Sequence, residues 1–346
     1  MPRPAHLFPA VLAVLGSAIL LAGCQSKPAD RLWVDSSVNG KPLHLFLDTG
    51  STISTLNRAT VADLGLPVTD PPPRADLPPG FLNLGVTAPA YFNLWGATSR
   101  VRFTVQDSPA YVRPDGDGVI GWSELRGKIL NIDAATRQVQ ALDQLPADLT
   151  GWTRLRVYPS RQMLILEVPL FTGPPALISV DTGNTIGVGL TPALWRAWRA
   201  DHPAAPATMH IYYTPSTGVI TREQSWAREI VLGPLALTDT PVEEADPATA
   251  GAAGSRHAAT LGLAALRRLD FIFDGPEHLV YLRPKTTPAE PFPHNRLGAV
   301  FTLLGPQQDA VVAHVEPNTP AAEAGLRDGD IVTAINNYTK LNWLKY

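Results

Sequence analysis

The chain predicts a mainly β fold in which two lobes are built on one plan and a smaller α+β module follows. Three observations carry this. The tripeptide Asp-Thr-Gly occurs twice with matching flanks, at Asp48-Thr49-Gly50 and Asp181-Thr182-Gly183. The 346 residues include 34 Pro and 27 Gly, and Pro is at about twice its usual ~5%, which favours many short strands and turns over long helices. After residue 284 a Pro-rich stretch is followed in close succession by a strand-like run, a short helix signal and a Gly-Asp turn. The length agrees with two or three domains.

The flanks match on both sides. Each tripeptide ends an apolar, strand-like run, residues 43–47 and 176–180. Eight residues before each Asp stands a glycine in a hairpin-type dipeptide, Asn39-Gly40 and Thr172-Gly173. Ser51 or Asn184 follows each Gly, and then a Thr. Each copy has a later apolar-apolar-Gly element, Val119-Ile120-Gly121 and the looser Thr260-Leu261-Gly262. Beyond these the copies stay in register, with Leu125 and Leu266 four residues on and Asp133 and Asp274 twelve on. One such tripeptide is a weak signal, whereas two with matched flanks indicate a duplicated fold.

The elements follow in order. In the first lobe, residues 31–145, the segments 33–34 and 43–47 read as strands joined at the Asn39-Gly40 turn. Residues 67–80 are Pro-rich and read as a surface loop; 82–90 and 99–105 read as strands; 129–132 and 138–142 form a closing hairpin. The second lobe, residues 153–284, opens with 163–170 and 177–180, continues through 221–231 and 235–241, and closes with 270–273 and 279–282. Residues 146–152 are a short join, so the lobes are expected to pair within one chain rather than between chains. Helix is expected only at 190–200 and 321–325. A Pro-rich linker, 284–293, leads to the third module, residues 294–346. There 310–315 alternates as a strand, Pro320 suits a first helical turn, Gly325 suits a left-handed C-cap, and Gly329-Asp330 turns into a further strand.

At the N-terminus Arg3 and His6 precede an apolar run, residues 7–21, that ends in Leu21-Ala22-Gly23-Cys24. This has the form of a secretory signal with a small-residue cleavage site. The run is short for a membrane span of ~20 residues, and no later segment is apolar enough to cross. Residues 1–23 resemble a bacterial lipoprotein signal peptide, which implies lipidation of Cys24 and a polar tether over 24–30. Cys24 is the single cysteine, so no intrachain disulfide can form. The expected location is the cell envelope, anchored to a membrane by lipid and facing the periplasm. Gln25 after the cysteine, by resemblance to Gram-negative lipoproteins, favours the outer membrane.

The twin motifs resemble those of the aspartic proteases, which carry one Asp-Thr/Ser-Gly per lobe, each backed by a hydrophobic-hydrophobic-Gly element. The resemblance covers roughly residues 31–286. The short lobes are similar to bacterial retropepsin-type domains fused in tandem. It implies two retropepsin-like acid-protease lobes related by pseudo-two-fold symmetry, and endopeptidase action on peptide or protein substrates. Asp48 and Asp181 are the candidate catalytic pair. Two carboxyls about 3 Å apart cannot both ionise, so they share a proton and offer a base and an acid at one pH. One then activates water and the other protonates the scissile carbonyl, without metal, cofactor or covalent intermediate. Thr49 and Thr182 would brace the loops across the two-fold. Gly50 and Gly183 would allow close backbone approach and aim amides at the carboxyls. Ser51 and Asn184 hold the third position after each Asp, where Ser or Thr of pepsin-like enzymes bonds the outer carboxyl oxygen. Asn184 departs from that pattern, although its amide is still a donor.

The run from Glu316 through Asn318-Thr319-Pro320 and Gly325-Leu326 to Val332 closely resembles the PDZ domains of bacterial envelope proteases. That resemblance implies peptide C-termini as ligands. A PDZ domain continues with a second helix and closing strand, which the nine residues after Asn337 cannot both supply. The module therefore reads as partial, its peptide groove as incomplete, and the sequence as a truncated form of a longer one.

Other signals are weaker. A net charge of −3 without long runs of one sign argues against nucleic acid as a partner. Gly116, Gly118 and Gly121 fit a dinucleotide fingerprint on paper but lack its strand-before, helix-after context, so no cofactor is expected. The eight His show no metal-ligand spacing, and no Gly-x-Ser-x-Gly elbow is present. Tyr91 and the pair Tyr212-Tyr213 are candidates for a substrate-covering residue, with a strand or core aromatic as the plainer reading. The rival to an enzyme is a non-catalytic peptide-binding or scaffold lipoprotein that uses the cleft or the PDZ-like module. Asp at both sites counts against it, because a decayed copy would lose one.

Overall fold

The computed structural model describes residues 31–69, 83–106, 116–160, 162–169, 174–214, 218–245, 257–286, 295–303, 310–335 and 338–339. The signal-like segment, Thr172-Gly173 and most of the first lobe's Pro-rich stretch lie outside the described residues.

The first lobe opens with β1 (Trp33–Val38) and β2 (Lys41–Leu47), an antiparallel hairpin in which Val38 faces Lys41. Its turn residues have positive φ, 50° at Asn39 and 80° at Gly40, as a two-residue primed turn requires. Leu43, Leu45 and Leu47 alternate into the core, and the strand delivers Asp48 at its end. Next come β3 (Thr55–Asn57), α1 (Arg58–Leu64), β4 (Val68–Thr69), β5 (Asn83–Thr87), β6 (Ala90–Leu94), β7 (Ala97–Val101), β8 (Thr104–Gln106), β9 (Gly118–Ile120) and α2 (Trp122–Leu125). The described strands form a nine-stranded sheet, β4-β5-β8-β3-β9-β2-β1-β6-β7.

The expected strands at 82–90 and 99–105 are each broken in two. Pro89 falls at the first break and Arg102-Phe103 at the second. At that corner the Thr87 hydroxyl accepts the Phe103 N–H (3.0 Å) while the Thr87 N–H donates to the Phe103 carbonyl (2.9 Å). The loop expected from residue 67 begins as a strand, β4. The helix α1 was not expected; it ends on Gly65 in the left-handed region.

The second lobe repeats the plan. β10 (Ile129–Asp133) and β11 (Gln138–Leu142) close the first lobe, and the second comprises β12 (Thr153–Val157), β13 (Leu164–Val168), β14 (Ala176–Val180), β15 (Val188–Leu190), α3 (Pro192–Asp201), β16 (Ala207–Thr214), β17 (Gly218–Leu232), β18 (Leu235–Glu244), β19 (His257–Leu261), α4 (Leu263–Leu266), β20 (Leu269–Asp274) and β21 (Leu279–Pro284). In both repeats the Asp-bearing strand pairs in parallel with the strand of the apolar-apolar-Gly element, β2 with β9 and β14 with β19. That strand in turn pairs antiparallel with the one leaving the Asp loop, β3 or β15. The next neighbour is parallel in both, β8 beside β3 and β18 beside β15. The antiparallel pair β17–β18 stands where the first lobe has β5 and β8.

The lobes are knitted together by hydrogen bonds. β10 of the first repeat pairs antiparallel with β20 of the second, with Ile129 facing Asp274 and Ile132 facing Phe271. The described second sheet thus has twelve strands, β11-β10-β20-β21-β12-β13-β14-β19-β15-β18-β17-β16, and the closing hairpins of both repeats lie side by side in it. One apolar core runs from Leu32 in the first lobe to Leu282 in the second. Trp122 of α2 packs on Phe273 of β20 with ring centroids 5.0 Å apart. Beside them Lys285 joins Asp133 (3.3 Å) to Asp270 (2.8 Å).

The third module has β22 (Ala299–Leu303), β23 (Val311–Val315), α5 (Pro320–Glu323), β24 (Ile331–Val332), β25 (Ala334–Ile335) and β26 (Tyr338–Thr339). β22, β23 and β24 form one small sheet and β25–β26 a hairpin. The module abuts β16 of the second lobe: the Thr208 hydroxyl donates to the Asn295 carbonyl (2.6 Å), and the Asn295 side-chain amide donates to the Met209 carbonyl (3.1 Å). No described helix is long and apolar enough to cross a membrane.

Candidate active site

Each aspartate leaves a fully buried strand end, Leu47 or Val180, and its own N–H is held by the neighbouring strand. Asp48 donates to the Ile120 carbonyl and Asp181 to the Leu261 carbonyl, both at 2.9 Å. The loops then turn back on their own carboxyls. Asp48 Oδ1 accepts the Gly50 N–H (2.8 Å) and the Ser51 N–H (3.0 Å). Asp181 Oδ1 accepts the Gly183 N–H at 3.0 Å, and the Asn184 amide also points at that carboxyl. These short turns are why Asp-Thr-Gly folds as it does: the Asp side chain satisfies the amides that the turn would otherwise leave open.

The two threonines are buried, and each bonds into the other lobe. The Thr49 N–H donates to Thr182 Oγ1 (3.0 Å) and the Thr182 N–H to Thr49 Oγ1 (3.1 Å). The hydroxyls donate onward, Thr49 to the Val180 carbonyl (2.6 Å) and Thr182 to the Leu47 carbonyl (2.8 Å). The glycines make room for the pair. A Cβ at Gly50 would overlap the Asp181 carboxyl, and one at Gly183 would overlap the Asp48 carboxyl. Each lobe's glycine therefore forms the surface on which the other lobe's carboxyl rests.

The carboxyls hydrogen-bond each other, and their electrostatics are unequal. Burial pushes Asp181 well above the ordinary carboxyl range, and the Asp48 charge and the bond to Asp48 push it further. Burial also raises Asp48, but the Gly50 N–H, the bond from Asp181, the Arg31 charge and the Ser51 N–H all oppose that rise. Both carboxyls are thus raised, Asp181 the more strongly, and the pair holds one proton between them.

The third-position side chains turn away from the pair. The Ser51 hydroxyl donates to the Ile53 carbonyl (2.9 Å), and Asn184 Oδ1 accepts the Ile186 N–H (3.1 Å). Their main-chain amides reach the carboxyls instead, so the expected side-chain bond to an outer carboxyl oxygen is not the one formed. Local turn chemistry captures both groups first.

Tyr91 is 61% exposed on β6, where its N–H and carbonyl bond Asn39 at the hairpin turn. That turn is at the end of β2 opposite to Asp48, about 26 Å away along the strand at ~3.3 Å per residue, too far to cover the pair. Tyr212 and Tyr213 face Ile220 and Val219 in the β16–β17 ladder; their side chains lie outside the described residues. Among the described residues no cluster of His, Cys, Asp and Glu has the arrangement of a metal site. Sequence reasoning missed Arg31. Its guanidinium lies 4.4 Å over the Phe46 ring and donates to the Gly183 carbonyl of the opposite lobe (3.1 Å).

Residues 34–123 match the aspartyl protease family model, a span that contains Asp48 and the Gly121 element. Residues 311–339 match the PDZ domain family model. No curated protein matches the chain. The first match covers one lobe only, and the internal symmetry extends the protease-like plan to the second.

Proposed function

We propose that the protein is an aspartic endopeptidase that cleaves peptide bonds by direct attack of water. The observation that carries this is the juxtaposed pair Asp48–Asp181, each carboxyl packed on the other loop's glycine and held by reciprocal threonine bonds between two lobes of one chain. Asp48, as the carboxylate, takes a proton from water as the oxygen attacks the scissile carbonyl carbon. Asp181 gives its proton to the carbonyl oxygen, which yields a neutral tetrahedral diol. Collapse of the diol breaks the C–N bond: the amine leaves with the proton that Asp48 gained, and Asp181 recovers one from the diol hydroxyl. Water and peptide become acid and amine, and the pair ends as it began. Both Asp residues and both Thr are intact, which favours this reading over a non-catalytic binding protein.

The test is digestion of a peptide library at several pH values by the wild type and by Asp48→Asn. Cleavage by the wild type alone is the expected result. Equal cleavage by both, or none by the wild type, overturns the reading.

The envelope location forms part of the same proposal. Leu21-Ala22-Gly23-Cys24 after an apolar run supports lipidation of Cys24 and anchoring in the outer membrane, with the lobes in the periplasm. Labelling with a fatty-acid analogue is expected to mark the wild type and not Cys24→Ser. Unchanged label on the variant contradicts it. The PDZ-like module is proposed to bind peptide segments of substrates or partners.

A further inference from the structure

The two lobes repeat each other closely around the carboxyl pair, so an uneven pair needs a place where the symmetry fails. Strand register locates it. Leu32 receives the Leu47 N–H just before Asp48, and Leu164 faces Val180 just before Asp181. Leu32 and Leu164 are therefore counterparts, and so are the residues before them, Arg31 and Met163. Trp33 faces Phe46 and Ile165 faces Ser179, so Phe46 and Ser179 correspond as well. The first lobe thus places a cation on an aromatic ring where the second has a thioether and a hydroxyl. Ser179 is occupied with Thr260, 2.8 Å away.

We infer that Arg31 is a positioning residue that decides which carboxyl of the pair is ionised, through its fixed charge beside Asp48 and its bond to the opposite loop at Gly183. Three observations support this. The guanidinium is held at both ends, by Phe46 at 4.4 Å and by the Gly183 carbonyl at 3.1 Å, so its charge has a defined place. Phe46 is two residues before Asp48, and Gly183 is the residue against which the Asp48 carboxyl rests. The lobe-two counterpart is uncharged. Asp48 faces Asp181 across the pair and Arg31 at its side; Asp181 faces Asp48. A symmetric pair would share its proton equally, whereas this one has a permanent bias toward Asp48 as base and Asp181 as acid.

The inference rests on the endopeptidase reading for its kinetic form but not for its physical one. The experiment uses Arg31→Gln, which removes the charge and can still donate to the Gly183 carbonyl, and Arg31→Lys, which keeps the charge. Two readouts are taken on the full chain: the pH profile of kcat/KM on a cleaved library peptide, and the carboxyl ¹³C titration of protein labelled at Asp. Loss of the cation disfavours the ionised form. In Arg31→Gln the acid limb of the profile and the first ionisation of the pair are expected to move to higher pH, and in Arg31→Lys both stay near wild type. A uniform fall in kcat with unmoved limbs and unmoved titration means that Arg31 only braces the loop, and overturns the inference. If the wild type cleaves nothing while the ¹³C titration still moves in Arg31→Gln, the inference stands and the endopeptidase reading falls.

Discussion

Thr49 and Thr182 form a closed exchange of hydrogen bonds across the lobe boundary. Each hydroxyl accepts the other's main-chain N–H, at 3.0 and 3.1 Å, and each donates to a strand-end carbonyl at 2.6 and 2.8 Å. The carboxyls are neighbours because these bonds leave the two loops no freedom to separate.

Thr182→Val is therefore expected to weaken the fold and the site together. It removes the acceptor of the Thr49 N–H and the donor to the Leu47 carbonyl, in a fully buried place. Each buried group left unpaired costs about 1–3 kcal/mol. Urea unfolding measures the loss, and Thr182→Ser should restore most of it. A Val variant as stable as the wild type would mean that the exchange contributes nothing to the lobe contact.

Asp181 should destabilise the folded protein at neutral pH. Its folded pKa is raised, by burial first and by Asp48 second. Between the ordinary Asp value of ~3.9 and the raised one, the folded state binds more protons than the unfolded state, so stability falls as pH rises through that window. Asp181→Asn mimics the protonated form and removes this fall. The variant is expected to gain in Tm relative to wild type as pH goes from acid to neutral. A difference in Tm that does not change with pH would contradict the raised value.

The duplicated Asp-Thr-Gly loops, the Asn39-Gly40 turn and the matched Asp133 and Asp274 were legible because each is a local device. Asp133 accepts the Ala135 and Thr136 amides and Asp274 the Glu277 amide, so both cap the turns of the closing hairpins. The β10–β20 pairing was not legible, because Ile132 and Phe271 carry no mark of which distant strand they will face. The helices α2 and α4 are single turns without a periodic pattern, visible only as the matched Leu125 and Leu266. The side chains of Ser51 and Asn184 were misread because backbone groups two residues on compete with the carboxyls for them, the Ile53 carbonyl as acceptor for Ser51 and the Ile186 N–H as donor to Asn184. Arg31 is one charged residue ahead of a strand, and only the fold carries it to the opposite lobe.

Away from the carboxyl pair, His210 and Glu243 form a buried contact at 2.9 Å, and Gln224 donates to the same Glu243 oxygen at 2.9 Å. Burial alone would lower the His210 pKa, but the Glu243 charge and hydrogen bond outweigh it and raise it. A raised His contributes stability that is present below its unfolded value of ~6.5 and is lost as pH rises through the folded value. His210→Ala leaves Glu243 without its cation and is expected to cost roughly 3–5 kcal/mol in mildly acidic solution. The gap to wild type should narrow in alkali, and a gap that widens there would contradict the pairing.

Deleting residues 288–346 should leave the two lobes with a single cooperative unfolding transition at somewhat lower Tm. Both repeats close upstream, at β11 and β21, and the deletion removes the Asn295 bonds to β16. Loss of cooperativity in calorimetry would show that the third module is part of the lobe core.

The central claim, that Asp48 and Asp181 act as one acid–base pair, is tested most directly by the rate on a single cleaved peptide with Asp48→Asn and Asp181→Asn beside the wild type. Each variant is expected to lose at least ~10²–10⁴-fold in kcat while its circular dichroism stays that of the folded protein. A folded variant of either kind that keeps near-wild-type turnover would contradict the account.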